Sequence, residues 1–207
     1  MENRKIMSKN RLEAFSDGVF AIILTILVLE LKVPELRDST FAVFLDGMKM
    51  LAPKFISFIF IFFIIAIFWV NHHHILHKVQ KVDSLFLWLN VALLFSACLF
   101  PFITAFIGDY PANPYVVALY PLNMALSALI LGKFWKYAFV DTDLAPNKFT
   151  GEEKKKRINQ DKFAVIINLA SAALAFLWVP ITLAQIMIMP FMFVIPELSS
   201  GMKDEEE

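Results

Sequence analysis

The segment Arg11–Pro34, RLEAFSDGVFAIILTILVLELKVP, carries a helical pattern that a water-soluble helix would not have. At about 100° per residue, Arg11, Phe15, Gly18, Ile22, Ile26, Leu29 and Val33 share one narrow stripe, Thr25 lies at its margin and Asp17 is nearly opposite Ile22. A soluble amphipathic helix turns polar residues to water along its whole length. Here Glu13, Ser16, Asp17 and Glu30 cluster toward the ends, and the central girdle has only Thr25. Such a girdle belongs in a membrane or along a pore.

The rest of the chain agrees. Of 207 residues, 58% are hydrophobic and only 18% charged, below the roughly 25% of an ordinary soluble domain. The apolar residues fall in runs longer than a soluble core element needs, and mean hydropathy is +0.64. These features identify an all-α integral membrane protein. Zero net charge gives no reason to expect a nucleic-acid partner. Cys98, the single cysteine, cannot form an internal disulfide, and its apolar setting suits packing. No small-residue cleavage site follows the first apolar run, so that run is expected to stay in the mature protein.

Six spans are expected. The first covers about Leu12 to Lys32, and its apolar part, Val19 to Leu29, is short unless neighbouring helices shield its ends. A polar connection with Pro34, Arg37, Asp38, Asp46 and Lys49 leads to a second span, about Pro53 to Val70, followed by the histidine-rich NHHHILH. The third, about Leu85 to Ile107, carries Asn90 and a late Pro101 that predicts a kink. GDYPANP forms a tight turn into the fourth, about Tyr115 to Phe139. The polar DTDLAPNKFTGEEKKKRINQDK cannot cross a bilayer, and 163–195 is too long for one untilted helix, so it reads as two short helices hinged near Val179 and Pro180. Residues 1–200 then form one six-helix domain and 201–207 an acidic cytoplasmic tail. With six spans, all but Lys32, Arg37, Lys49 and Lys54 of the 19 lysines and arginines face one side, which predicts both termini in the cytoplasm. No internal repeat is visible, so a closed pore would need several copies.

Two patterns have a familiar look. Arg11, Phe15, Ser16, Asp17 and Gly18 form R-x-x-x-F-S-D-G at the start of the first helix, and Phe68, Trp69, His72 and His73 form F-W-x-x-H-H at the end of the second. With LWLN and PFITA in the third, the chain resembles the prokaryotic branch of the transmembrane protein 175 family of potassium channels along essentially its whole length. The resemblance implies a homotetramer of six-helix subunits in the cell membrane, with potassium passing between the four first helices. It also implies no T-V-G-Y-G filter, and this sequence has none. By position after the arginine, Ile22 matches the constricting aliphatic residue, Ile26 and Leu29 continue the narrow region, and Thr25 matches a threonine with a part in selectivity.

A ring of alkyl groups offers no lone pairs to replace an ion's water. When narrow it gates by dewetting, and when wider it favours the cation that dehydrates more easily, potassium over sodium. Ile22, Ile26 and Leu29 could instead be plain lipid or core contacts. Ser16 and Asp17 could be helix N-caps; the sharper expectation is a structural polar network of Arg11, Phe15, Ser16, Asp17 and Gly18 with Trp69 and His72 or His73 that holds helix one against helices two and three. His73 and His77 have the i, i+4 spacing of a chelate, but no further ligand stands near, so no metal, cofactor or catalytic residue is expected. Histidine titration near neutrality is open to that cluster. The alternatives are a proton-permeable channel on the same fold and a histidine-based redox or haem protein.

Overall fold

The computed structural model describes residues 8–146 and 149–187. Every regular element among them is helical. Helix α1 is Lys9–Ile26, continued by a 3-10 turn at Leu27–Glu30. Helix α2 is Phe41–Lys78, α3 is Ser84–Asp109, and α4 is Pro114–Lys136 with a π turn at Tyr137–Asp141. Helix α5 is Gly151–Leu174, and a sixth, α6, runs over 179–187, where the described residues end. The first four are long and apolar enough to cross a membrane. The chain is an all-helical, multi-pass membrane protein.

The helix ends follow local chemistry. Asp83 caps α3 by accepting from the Phe86 amide at 2.8 Å, and its other oxygen accepts from the Tyr137 hydroxyl at 2.7 Å, which pins the end of α4 to the start of α3. Asn113 caps α4 ahead of Pro114, whose missing amide hydrogen costs nothing in a first turn. At α5, Thr150 and Glu153 form a reciprocal capping box.

Several expected boundaries move. Helix α2 begins twelve residues before Pro53 and takes in Asp46 and Lys49, which pair at 3.1 Å on an exposed face. The helical register outweighs the local polarity, and α2 continues through the one backbone bond that Pro53 removes. At 38 residues it is about 57 Å long against a hydrocarbon core of about 30 Å, so it is longer than an upright crossing requires. The histidines expected in a loop occupy its last two turns. Half of the polar segment after α4 is also helical, because residues 151–162 sit behind the capping box and are rich in helix formers. The break between the last two helices is present at 175–178, but Pro180 is the second residue of α6 and does not sit in the break itself. Proline is at home in a first turn. The expected end of the last span at 188–195 and the acidic tail lie outside the described residues.

Two packing units share α4. The main core joins Leu12, Phe20, Ile23 and Leu27 of α1 to Ile61, Ile65 and Phe68 of α2 and to Phe86, Leu93 and Phe100 of α3. A second, built from Val117 and Ala118 of α4 with Ala172 and Ala175, lets small side chains bring α4 and α5 close, as suits helices that meet without a hydrophobic drive between them. Thr182 ties α6 back by donating to the Ser171 carbonyl at 3.2 Å.

Candidate functional site: the two faces of the first helix

Helix α1 has an inner and an outer face. Leu12, Ser16, Phe20 and Ile23, with Leu27 just beyond, repeat every three or four residues and are buried against α2 and α3. The opposite stripe is bare: Ile22 is 58% exposed, Ile26 43% and Leu29 73%. Phe15, Arg11, Gly18 and Thr25 are exposed on the same outer side. A Cβ built on Gly18 would meet nothing within 4 Å. The α-helix ends at Ile26, so Leu29 is reached through the 3-10 turn and Val33 lies beyond any helix; the projected stripe is strictly helical only as far as Ile26. A groove between α1 and α3, lined by Val19, Ile22, Ile26, Pro101 and Phe102, runs beside the bare stripe.

Thr25 donates its hydroxyl proton to the Ile22 carbonyl at 2.9 Å. The bond uses the hydroxyl hydrogen within the helix, and the exposed oxygen keeps its capacity to accept.

The inner face is held by a knot of three fully buried polar side chains, one from each of the first three helices: Ser16, His72 and Asn90. Ser16 donates to the Leu12 carbonyl at 2.9 Å, Asn90 Nδ2 donates to Ser16 Oγ at 3.0 Å, and Asn90 Oδ1 is bonded to His72 Nε2. Ser16 has one proton to give, and it goes to Leu12; the amide hydrogens of Asn90 must then point at Ser16, so Asn90 Oδ1 accepts and His72 carries its proton on Nε2. The chain of donors runs His72, Asn90, Ser16, Leu12. The His72 ring lies parallel to Phe134, 5.6 Å away, and 5.5 Å from Phe20. Its Nδ1 is buried with no hydrogen-bond partner among the described residues.

A second, more open cluster flanks the knot. Trp69 donates its indole hydrogen to Asp17 at 2.8 Å and packs against the His73 ring at 5.6 Å. Glu13 stands 3.9 Å from His73 Nδ1, and Lys9 donates to the His77 carbonyl at 3.0 Å. Of the residues expected in one network, Ser16 and His72 meet in the knot, and Asp17, Trp69 and His73 meet beside it. Arg11, Phe15 and Gly18 join neither among the described residues, because they lie on the outer face. The N-cap alternative for Ser16 and Asp17 is overturned: α1 starts at Lys9, two turns earlier. The hub, Asn90, did not stand out in the sequence network. An asparagine in the middle of an apolar helix was the available signal, since hydrocarbon offers an amide no partner. Among the described residues no three His, Cys, Asp or Glu side chains gather as a metal site would require.

The comparisons with known proteins bear on this arrangement. The family model "Endosomal/lysosomal potassium channel TMEM175" matches residues 11–101, which span α1 to most of α3. A potassium channel of a Chryseobacterium species is 34% identical over 92% of this chain and 95% of its own length. The chain belongs to the TMEM175 family. A second relative, a potassium channel of Chamaesiphon minutus, is 31% identical over 89% of this chain and 93% of its own. The crystal structure of a lysosomal potassium-selective TMEM175 homologue from that organism superposes with a TM-score of 0.78 at 29% identity, covering 91% of this chain and 97% of the other. The match to the chicken endosomal/lysosomal proton channel TMEM175 is 32% identical but reaches only 51% of this chain and 20% of that protein. TMEM175 proteins are channels and not enzymes.

Proposed function

We propose that this TMEM175 protein is a passive potassium channel of the cell membrane, formed by four copies with their α1 helices around the ion path. Both termini are in the cytoplasm, and residues 1–200 act as one channel domain. The constriction is made by Ile22, Ile26 and Leu29, and Thr25 supplies hydroxyl oxygens beside it. The observation that carries this reading is the exposure of those aliphatic residues on a helix whose opposite face is tied to α2 and α3 by the Ser16–Asn90–His72 knot. The anchored inner face leaves that stripe on the outside of the subunit, where close packing against other copies can enclose a path between them. The potassium channels among the relatives support the choice of ion.

Selectivity follows from dehydration. Isoleucine rings cannot coordinate, so a cation passes only by shedding part of its water, which potassium does at lower cost than sodium. Polar groups at the narrowest ring would remove that discrimination. Liposomes loaded with potassium or sodium and carrying the wild type or Ile22→Asn test the assignment. Wild-type vesicles are expected to release potassium faster than sodium, and Ile22→Asn vesicles to release both at similar rates. Equal rates from the wild type, or an unchanged preference in the variant, would refute the constriction.

The partial match to animal proton channels favours a second reading in which the same pathway also passes protons. A pH gradient across potassium-free vesicles reads this directly.

A further inference from the structure

The start of α5 carries a feature that ion conduction does not use. Its outward face is one continuous stripe of exposed residues, Lys155, Asn159, Lys162, Ile166 and Leu169, with Lys156 and Phe163 alongside. Before residue 163 the stripe is cationic and polar. From Phe163, itself 58% exposed, it is apolar, and Ile166 is 65% exposed. The opposite side of the helix, at Ala164, Asn168 and Ser171, is the one buried within the subunit. The face that carries these apolar side chains therefore also carries Lys162 immediately before Phe163 and Lys155 and Lys156 about two turns earlier. Lys156 and Lys162 are six residues apart, about 9 Å along the axis, similar to the depth of a headgroup layer.

Among the described residues no acid forms an ion pair with Lys155, Lys156 or Lys162, and the exposed Asp143 in the loop before α5 forms none with them either. Asp161 is taken by Arg157, at 3.3 Å. The Glu153 carboxylate is held by the Thr150 amide and hydroxyl at 2.7 and 3.0 Å, and those bonds keep its pKa below the ordinary carboxylate value. Asp141 at the end of α4 is bound to Lys136 at 2.9 Å. Glu152 is the one remaining acid on this turn against Lys155, Lys156 and Lys162, and it forms no ion pair with them. We propose that this face of α5 is a binding site for an anionic phospholipid, with Lys155, Lys156 and Lys162 gathering the headgroup phosphate and Phe163 and Ile166 taking the acyl chains. Charge complementarity sets the partner: a zwitterionic lipid offers the same tails but carries a compensating cation in its headgroup. The site depends only on the chain's lying in a bilayer and stands whether or not potassium is the ion carried.

The test is native mass spectrometry of the full-length protein released from detergent with phosphatidylglycerol or phosphatidylcholine added. Wild type is expected to retain phosphatidylglycerol in preference, and increasingly so as ammonium acetate is lowered. A surface lysine contributes about fivefold to such binding, so Lys155→Gln/Lys156→Gln/Lys162→Gln is expected to lose retention roughly a hundredfold. The corresponding triple arginine variant keeps the charge and is expected to keep the lipid. Lys49→Gln, on the exposed start of α2, is expected to change nothing. Equal retention of both lipids by the wild type, insensitivity to salt, or full retention by the triple glutamine variant would overturn the site. If that variant fails to fold, the wild-type lipid preference and its salt dependence still decide.

Discussion

Replacing Asn90 by leucine tests the reading of the inner face of α1 most directly. The substitution keeps approximate volume and removes every polar atom of the hub. Ser16 still donates to the Leu12 carbonyl and is not orphaned as a donor. His72 loses its acceptor, and its Nε2 hydrogen is left in a fully buried site. An unmet buried donor costs about 1–3 kcal/mol. The hydrogen bond from Asn90 to Ser16, lost as well, adds about 0.6 kcal/mol, the average found between membrane helices. The total is roughly 2–4 kcal/mol. For a chain of this size each kcal/mol moves the thermal midpoint by about 2–4 °C, so Asn90→Leu is expected to melt roughly 5–15 °C below the wild type in a tryptophan fluorescence ramp in detergent. Adding His72→Phe should give part of this back. Phenylalanine keeps the ring against Phe134 and Phe20 and removes the orphaned hydrogen. The double variant should therefore be more stable than Asn90→Leu alone, a coupling that additive damage cannot produce. A single variant with an unchanged midpoint, or a double variant that melts lower still, would refute the donor chain.

Further outcomes follow from the same geometry. Gly132 allows α4 to approach α5 so closely that an added Cβ would stand 3.0 Å from Asp161 Cβ and 3.2 Å from its carboxylate; Gly132→Val is expected to cost about 1–3 kcal/mol and lower the thermal midpoint, with wild-type stability as the refuting result. At the α5 capping box, the depressed pKa of Glu153 means that its contribution is present above the ordinary carboxylate range and is lost as pH falls through the lowered value. The midpoint difference between wild type and Glu153→Ala should accordingly be full at neutral pH and narrow on acidification, and a difference independent of pH would contradict the box. In the liposome assay Thr25→Ala should reduce, without abolishing, the preference for potassium, because the aliphatic rings remain; an unchanged ratio would remove Thr25 from the pathway.

Much of this molecule can be read without coordinates. Hydrocarbon tolerates only long apolar helices with their backbone satisfied internally, so run lengths alone mark the first four spans and their order. Periodicity separates the Ile22–Ile26 stripe from the rest of α1, since side chains on one face of a helix recur at three and four residues whatever surrounds them. Even the break before α6 is announced by Pro180. What the tertiary structure decided is which of these features are partners. Ser16 and Asn90 are 74 positions apart, and nothing local to either indicates that they share a hydrogen bond. The same holds for Trp69 with Asp17, and it is why Arg11, equally polar and equally part of the signature, could not be told from the buried members until the helix was seen to turn it outward. The start of α2 was hidden for a different reason: a proline amid charged residues resembles a boundary, while helical geometry carries through it once both sides continue the same register. Composition and period determine what each segment can be; only the packing of three helices around Asn90 determines which face of α1 remains free.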